Sequence, residues 1–316
     1  MTQLDRAIQH RLHPTSPRAP LVEVTKPGIT KMVTITAGVG FALALLKDHV
    51  SWDLTASVGI PTLFGTALSA AGANALNQWM ERERDALMDR TCMRPIPTGR
   101  LTPLTVLALG LALAVAGVGI LFATAGWLPA LLSLTCVVTY IGLYTPMKTR
   151  TTLSTLVGAI PGALPPLIGW TAASPQPPIP SLFEAGGMLL FSIMFVWQIP
   201  HFLAIAWMYR VDYAKGGYRV LPVLDPEGRI TARSILLWTI ALAPLAIAPG
   251  FALPETLGWP FVVVASVVSL FFIRVAFRLW RSRSRDDAKR VFFASIIHLP
   301  ILLVAMVLIA LVRSVL

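Results

Sequence analysis

Three side chains with oxygen donors recur at four-residue intervals where an apolar run meets a polar segment: Asn77, Glu81 and Asp85. On a helix, residues with this spacing lie one above another, about 6 Å apart along the axis. An amide and two carboxylates on one stripe suit a hard cation such as Mg²⁺, which takes oxygen ligands and keeps waters for a phosphate. Arginines, whose planar donor groups match phosphate oxygens, follow closely: Arg82, Arg90, Arg94 and Arg100. The segment therefore predicts a site for a metal and a diphosphate.

A mixture of acidic and basic residues on a helix is also typical of a solvated, salt-bridged surface. The position of this stripe favours a functional site, because Asn77 and Glu81 lie at the end of an uncharged run that is long enough to span a membrane. Ionisable groups at that depth are costly and are usually functional.

The elements that must position this site are membrane spans. The 316 residues are 55% hydrophobic and only 13% charged, with a mean hydropathy of +0.71. A soluble core cannot bury so much apolar surface, so the solvent must be lipid. Charged residues divide the chain into runs that predict nine helices, two of them separated at Gly126-Trp127-Leu128-Pro129. We expect an all-α integral membrane protein with a flexible tail, residues 1–26, and a single transmembrane domain, residues 27–316.

The basic residues indicate how these spans are oriented. The net charge is +11, and 24 of the 26 Lys and Arg residues fall in the tail or in alternate loops on one side. This sorting predicts a cytoplasmic N-terminus and an outside C-terminus, and it accounts for the basic charge without nucleic acid. The chemistry is expected at the cytoplasmic face, in loops 80–101 and 209–233. The tail lacks the apolar stretch of a signal peptide, and an organelle transit peptide is the alternative interpretation.

The loop 209–233 contains a second group of charged residues. Asp212 supplies a carboxylate, and Lys215 adds positive charge that suits a diphosphate. The pair Gly216-Gly217 allows a tight backbone turn close to a ligand. An ordinary basic loop on the cytoplasmic side is the alternative.

The stretch from Asn77 to Pro95 resembles the first aspartate-rich motif of the UbiA-type intramembrane prenyltransferases. That motif reads Asn-Asp-x-x-Asp-x-x-x-Asp, followed by Arg-Thr-x-x-Arg-Pro. Asn77, Glu81 and Asp85 match its polar positions. Its two arginines are matched without a gap, by Arg90 and Arg94.

The sequence departs from the family pattern at several positions. Gln78 stands where many members have Asp, and Glu81 replaces an Asp. Asp89 falls at a position that the family leaves variable, so it is a weaker candidate. Asp212 matches the first acid of the family's second motif, but Gly216 stands where a further carboxylate is expected. This leaves the ligands of a second metal open.

Three further stretches are similar to the heme O synthase branch of this family. They are Trp-Gln-x-Pro-His-Phe from Trp197, Asp-Tyr…Leu-Pro-Val from Asp212, and Tyr-Thr-Pro-x-Lys ending at Lys148. The resemblance extends from about Lys26 to past Pro222 and implies nine helices around a central cavity.

Members of that branch transfer a farnesyl group from farnesyl diphosphate to a vinyl group of heme B, with addition of water, to give heme O. The resemblance implies Mg²⁺ as cofactor, farnesyl diphosphate and heme B as substrates, and a place in the bacterial inner membrane. It also implies a heme A-forming enzyme or a terminal oxidase assembly as a partner. The catalytic and metal-binding residues that it implies are Asn77, Glu81, Asp85 and Asp212. The diphosphate ligands are Arg90, Arg94, Lys148 and Lys215.

Two histidines in the apolar spans, His201 and His298, are candidates for binding the heme, because heme iron accepts imidazole as an axial ligand. Each has the alternative role of a hydrogen-bonding residue within the helix bundle. Lys148 has the alternative role of binding a heme propionate.

Two other functions remain open: a UbiA-type enzyme that acts on an aromatic acceptor, and a membrane transporter. The acids lie at one face, whereas coupling sites of transporters lie near the midplane.

Overall fold

The structure is a computed structural model that describes residues 19–48 and 53–315. Within this part of the chain, nine helices are long and apolar enough to cross a membrane, and no strand is present. The nine helices are α2 Pro27–Lys47, α3 Thr55–Asp85, α4 Pro103–Ala125, α5 Trp127–Met147, α6 Ser154–Ala173, α8 Ala185–Met208, α11 Arg229–Ala252, α12 Gly258–Ser282 and α13 Arg285–Val315. The short helices are α1 Ala19–Val24, α7 Pro178–Leu182, α9 Arg210–Lys215 and α10 Leu221–Leu224. The prediction of an all-α membrane protein with nine spans is confirmed.

Local sequence signals account for the helix boundaries that matter here. Gly126 separates α4 from α5 with φ of 95°, a conformation that favours glycine, and this confirms the predicted break. Thr102 caps α4 by accepting a hydrogen bond from the backbone N–H of Thr105. Two π-helical segments, Thr55–Gly59 and Thr139–Tyr144, interrupt the regular winding of α3 and α5. Such segments are rare and frequently lie at functional sites, and the second one ends four residues before Lys148.

Small residues let neighbouring helices approach closely. Gly72 of α3 packs against the backbone of Gly110 and Ala114 in α4, and Gly169 of α6 packs against the backbone of Ala37 in α2. A side chain at either glycine would overlap these backbone atoms. Close contact of this kind replaces the hydrophobic driving force that helices lack in lipid. It fixes α3, the helix that carries the acidic stripe, against its neighbour.

The faces of the bundle that point outward are apolar. Val115, Phe122 and Val267 are among the exposed large hydrophobic residues, as expected of surfaces that face lipid. The interior holds bulky residues such as Trp170 and Phe261, which are fully buried.

Four connecting segments meet at one end of the bundle, which we call the polar end: residues 19–26, 86–102, 148–153 and 209–228. Long-range hydrogen bonds join them. The backbone N–H of Arg219 donates to the carbonyl of Lys148 at 2.7 Å, and Arg84 donates to the carbonyl of Gly216 at 3.0 Å. The segments thus form one connected layer over the carboxyl end of α3.

The tail predicted for residues 1–26 is only partly covered by the structure, because residues 1–18 lie outside the described part. Residues 19–24 form α1, which packs on α3. Val24 is fully buried there, and Gln78 Nε2 donates to its carbonyl at 3.1 Å. A carboxylate in place of Gln78 could not donate this hydrogen bond.

Candidate functional site

The predicted stripe occupies the last turns of α3 and is buried. Asn77, Glu81 and Asp85 are each at most 5% exposed. Buried polar groups need partners, and here each partner of the stripe oxygens is a cationic side chain from another segment. We call this group the ladder cluster; its members are Asn77, Glu81, Asp85, Lys26, Arg94 and Lys148.

Lys148 pairs with Glu81 across 67 positions of sequence. Its Nζ donates to Glu81 Oε1 at 2.8 Å and lies 4.4 Å from the centroid of the Tyr144 ring. Burial alone would lower the pKa of Lys148, but the Glu81 carboxylate outweighs burial and holds that pKa well above its usual value. Lys148 is therefore charged at neutral pH, and its charge lies directly beside the metal-binding candidate Glu81.

Arg94, in the connecting segment that follows α3, pairs with Asp85 at the end of that helix. Its Nη1 donates to both carboxylate oxygens, at 2.6 and 2.7 Å. The chain reverses between these residues through a series of turns, and Thr91 donates to the backbone carbonyl of Asp85 at 2.9 Å. This reversal explains why an arginine nine positions after Asp85 returns to it.

Lys26 is a member of the cluster that the sequence analysis assigned to the flexible tail. Its Nζ donates to Asn77 Oδ1 at 2.7 Å, while the Asn77 amide donates to Thr145 Oγ1 at 3.1 Å. Burial, together with the nearby charge of Arg94, lowers the pKa of Lys26 to about 7. Lys26 has a left-handed backbone, φ 48°, just before Pro27 at the start of α2. A lysine directly before a helix-starting proline, at the boundary of an apolar run, was the sequence signal for this role.

Tyr218 is a second residue that the sequence analysis missed. It is only 3% exposed, and its hydroxyl lies beside the Glu81 carboxylate. Its ring centroid lies 5.6 Å from Lys148 Nζ. Burial and the nearby Glu81 carboxylate raise the pKa of Tyr218, so the hydroxyl keeps its proton. A buried hydroxyl that keeps its proton is a hydrogen-bond donor beside the ladder cluster.

Asp212 lies in the layer above the stripe. Its carboxylate accepts hydrogen bonds from the backbone N–H groups of Asp89 and Arg90, at 3.2 and 3.1 Å. Lys215 donates to Asp89 at 2.8 Å and lies 4.0 Å from Asp212. Through these contacts, Asp212 joins the second acidic loop to the first. Within residues 19–48 and 53–315, no group of three His, Cys, Asp or Glu side chains forms a ready metal site.

Arg90 presents its guanidinium at the surface of the polar end. The group lies over two aromatic rings, 5.3 Å from the centroid of Tyr209 and 5.7 Å from that of Tyr213. In the described part of the chain it forms no ion pair with a carboxylate. Its Nη2 donates to the Tyr213 hydroxyl at 3.4 Å, and its other donors suit an anion.

The two candidate histidines have different surroundings. His201 in α8 is half-buried, stacks on Trp197 with ring centroids 4.8 Å apart, and shares a 2.8 Å hydrogen bond between its Nδ1 and Ser295 Oγ. His298 in α13 is 1% exposed, and its Nε2 lies 3.4 Å from Ser269 Oγ. His298 is packed between α12 and α13, whereas His201 retains an exposed edge.

The stretch that carries these features matches a known family. Residues 32–297 match the UbiA prenyltransferase family. This chain belongs to that family. Two of its relatives are named protoheme IX farnesyltransferase. The one from Solibacter usitatus (strain Ellin6076) is 41% identical over 290 residues, which cover 89% of this chain and 95% of the relative. The one from Anaeromyxobacter sp. (strain Fw109-5) is 40% identical over 289 residues, which cover 91% and 92%.

Solved structures share the fold. One described as digeranylgeranylglyceryl phosphate synthase has a TM-score of 0.74 at 14% identity, over 94% of this chain and 99% of its own. A UbiA homolog from Aeropyrum pernix K1 has a TM-score of 0.67 at 23% identity, over 87% and 98%. A UbiA homolog from Archaeoglobus fulgidus bound to GPP and Mg²⁺ has a TM-score of 0.62 at 12% identity, over 91% and 99%. At these identities the likeness establishes the fold alone.

In this UbiA family member, the structure brings five of the candidate residues together in the ladder cluster. Asn77, Glu81 and Asp85 share one face, where Glu81 pairs with Lys148 and Asp85 with Arg94. The remaining polar-end candidates, Arg90, Asp212 and Lys215, lie in the layer above that face.

Proposed function

We propose that this chain transfers a farnesyl group from farnesyl diphosphate to a vinyl group of heme B, with addition of water, and so forms heme O. The observation that carries the reaction class is the buried stripe of oxygen donors surrounded by cationic side chains. Relatives at about 40% identity are named protoheme IX farnesyltransferase, and that name indicates the farnesyl donor and the heme acceptor.

The ladder cluster fits a divalent metal. The oxygen donors of its stripe are one amide oxygen and carboxylate oxygens, the ligands that Mg²⁺ prefers. Each stripe residue already accepts a hydrogen bond from a basic side chain, at 2.6–2.8 Å, so the stripe is suited to bind a cation. Asn77, Glu81 and Asp85 would hold the metal, with Asp212 from the layer above. A bound Mg²⁺ would neutralise charge on the departing diphosphate.

The basic residues of the site would hold the diphosphate. Lys148 and Arg94 are paired with carboxylates, and a diphosphate can replace a carboxylate as their partner. Arg90 and Lys215 would bind from the layer above, and the Tyr218 hydroxyl, beside Glu81, would donate a further hydrogen bond. These donors stabilise the negative charge that develops as the allylic C–O bond breaks.

The aromatic residues near Lys148 would protect the allylic cation. Tyr140 and Tyr144 stack with ring centroids 5.4 Å apart, and Tyr144 also contacts Lys148. The faces of aromatic rings attract cations, and an apolar wall keeps water away until the new bond forms.

His201 is the better supported of the two candidate heme ligands. Its Nδ1 is held by Ser295, which would orient the ring and leave Nε2 for iron. Burial at 1% exposure argues against His298, although both remain candidates. The basic residues at the polar end support a site on the cytoplasmic face of the inner membrane. A heme A-forming enzyme or a terminal oxidase assembly would receive the product.

Product analysis tests this function. Purified protein in detergent receives heme B, farnesyl diphosphate and Mg²⁺, and the extracted hemes are separated by mass. We expect a species heavier than heme B by a farnesyl group plus water, absent when Mg²⁺ is chelated. Unchanged heme from protein that releases diphosphate in the presence of an aromatic acceptor would contradict the heme assignment and keep the family's chemistry.

A further inference from the structure

A second concave surface lies apart from the ladder cluster, at the same end of the bundle. It is a groove of about 730 Å³ between the beginning of α11 and the end of α12. We call it the arginine groove; its lining includes Arg229, Arg233, Arg281, Arg283, Leu237 and Trp280. Its lining contains no acidic residue.

The positive charge of this groove is largely uncompensated. Arg229 pairs with Glu227 at 2.7 Å, in an exposed ion pair. Within the described part of the chain, Arg233, Arg281 and Arg283 form no ion pair with a carboxylate. Like charges that converge on one concavity repel one another. An anion that binds between them would relieve that repulsion.

One arginine is held in an unusual backbone conformation. Arg283 follows the last turn of α12 with φ of 51°, in the left-handed region. Glycine is the usual residue at such a helix end, because a side chain there is unfavourable. In this conformation, Arg283 lines the groove. A signal for membrane orientation would not require either this conformation or a concave arrangement.

The apolar side of the groove identifies the class of anion. Leu237 is 54% exposed and Trp280 is 44% exposed, and both belong to spans that face lipid. Tryptophan at a helix end is typical of the boundary between headgroups and acyl chains. Guanidinium groups match phosphate oxygens. Basic pockets between spans at this depth suit lipid headgroups.

We propose that the arginine groove binds an anionic phospholipid, with the phosphate between the guanidinium groups and the acyl chains along Leu237 and Trp280. The groove adjoins a second one of about 890 Å³, with which it shares Arg229 and Arg283 and which is lined by Asp89 and Asp212. The lipid would therefore lie next to the layer over the ladder cluster. This site is independent of the farnesyl transfer proposed above.

Native mass spectrometry in a neutral detergent tests the proposal. The protein is titrated with phosphatidylglycerol or phosphatidylcholine, and bound lipids are counted. We expect one phosphatidylglycerol molecule to bind tightly and no phosphatidylcholine molecule to bind with comparable affinity. The double variant Arg233→Gln/Arg281→Gln should bind phosphatidylglycerol about 30-fold more weakly, from the loss of two arginines at a lipid headgroup.

Matched variants separate this site from general attraction to basic residues. Arg274→Gln/Lys289→Gln removes the same charge from exposed positions outside the groove, and its affinity should stay within about threefold of the wild type. The variant Leu237→Ser, which removes an apolar side chain, should weaken the binding of the lipid but not the binding of inorganic phosphate. Thermal unfolding in detergent checks that every variant is folded.

Two results would overturn the proposal. Equal losses in the groove variant and the matched variant would show diffuse charge attraction only. Displacement of the lipid by millimolar inorganic phosphate or diphosphate, with no effect of Leu237→Ser, would show a site for a free anion.

Discussion

Polar clusters lie at both ends of the bundle, and they are built differently. The ladder cluster at the polar end contains two carboxylates and three cationic side chains. The far-end cluster joins the ends of α2 and α6 to the beginning of α8; its members are Lys47, Asp48, Trp170, Ser174 and Glu184. There, Glu184 accepts hydrogen bonds from Lys47 at 2.7 Å, Trp170 at 2.9 Å and Ser174 at 2.6 Å.

The difference indicates different roles. At the far end, burial would raise the pKa of Glu184, but the hydrogen bonds from Lys47, Ser174 and Trp170 lower it. Both carboxylate oxygens of Glu184 accept hydrogen bonds from side chains of the cluster, which suits a role in stability. At the polar end, three basic side chains face two carboxylates. A cluster with surplus donors is suited to receive an anion.

Removal of a carboxylate from the ladder cluster is the strongest test of this contrast. Asp85→Asn removes the charge but keeps the shape of the side chain. We expect kcat to fall about 1,000-fold, the loss typical of one electrostatic group in a catalytic site. Heme product formation measures this. The matched variant Glu184→Gln should keep its turnover, and an equal loss in both would contradict the contrast.

Loss of Lys148 should have the next largest effect. Lys148→Met leaves Glu81 buried without its partner, so both stability and activity should fall; kcat/KM for farnesyl diphosphate should drop about 100-fold. The double variant Glu81→Gln/Lys148→Met removes the unpaired charge. It should regain thermal stability without regaining activity. Recovery of activity in the double variant would reduce Lys148 to a structural partner of Glu81.

Lys26→Met should have a smaller effect on turnover. Its Nζ binds the neutral amide of Asn77, so its removal leaves no buried charge unpaired. We expect kcat/KM to fall about tenfold, from the loss of one charge-assisted hydrogen bond. The control is Lys31→Met, one turn further along α2. No difference between the two variants would assign Lys26 to the membrane boundary alone.

Glu184→Gln should change stability and leave chemistry intact. The loss of charge-assisted hydrogen bonds should lower the free energy of unfolding by about 2 kcal/mol, measured by thermal unfolding in detergent. Because the folded-state pKa of Glu184 is lowered, this contribution is present above its ordinary pKa of 4.5. The difference between wild type and variant should therefore shrink as pH falls below 4.5. A difference that grows there would contradict the assignment.

Much of the fold and of the acidic stripe could be predicted from the sequence, because both depend on local periodicity. Apolar runs gave the nine spans, Gly126 gave the break, and four-residue spacing placed Asn77, Glu81 and Asp85 on one face. Partners distant in the chain could not be predicted. Lys26 reaches Asn77 across 51 positions, because α1 and the start of α2 fold over α3.

The second acidic loop shows the same limit. Its charge suggested a metal ligand, but the hydrogen bonds that the backbone N–H groups of Asp89 and Arg90 donate to the Asp212 carboxylate depend on how two loops pack. The position of the Tyr218 hydroxyl beside Glu81 likewise exists only in the folded layer.

Calorimetry with a non-hydrolysable farnesyl thiodiphosphate tests the central claim most directly, because it measures diphosphate binding without heme or turnover. The wild type and Glu184→Gln should bind it only when Mg²⁺ is present, and Asp85→Asn should bind it about 100-fold more weakly under the same conditions. Equal binding with and without Mg²⁺, or equal binding by Asp85→Asn, would contradict a metal–diphosphate role for the ladder cluster.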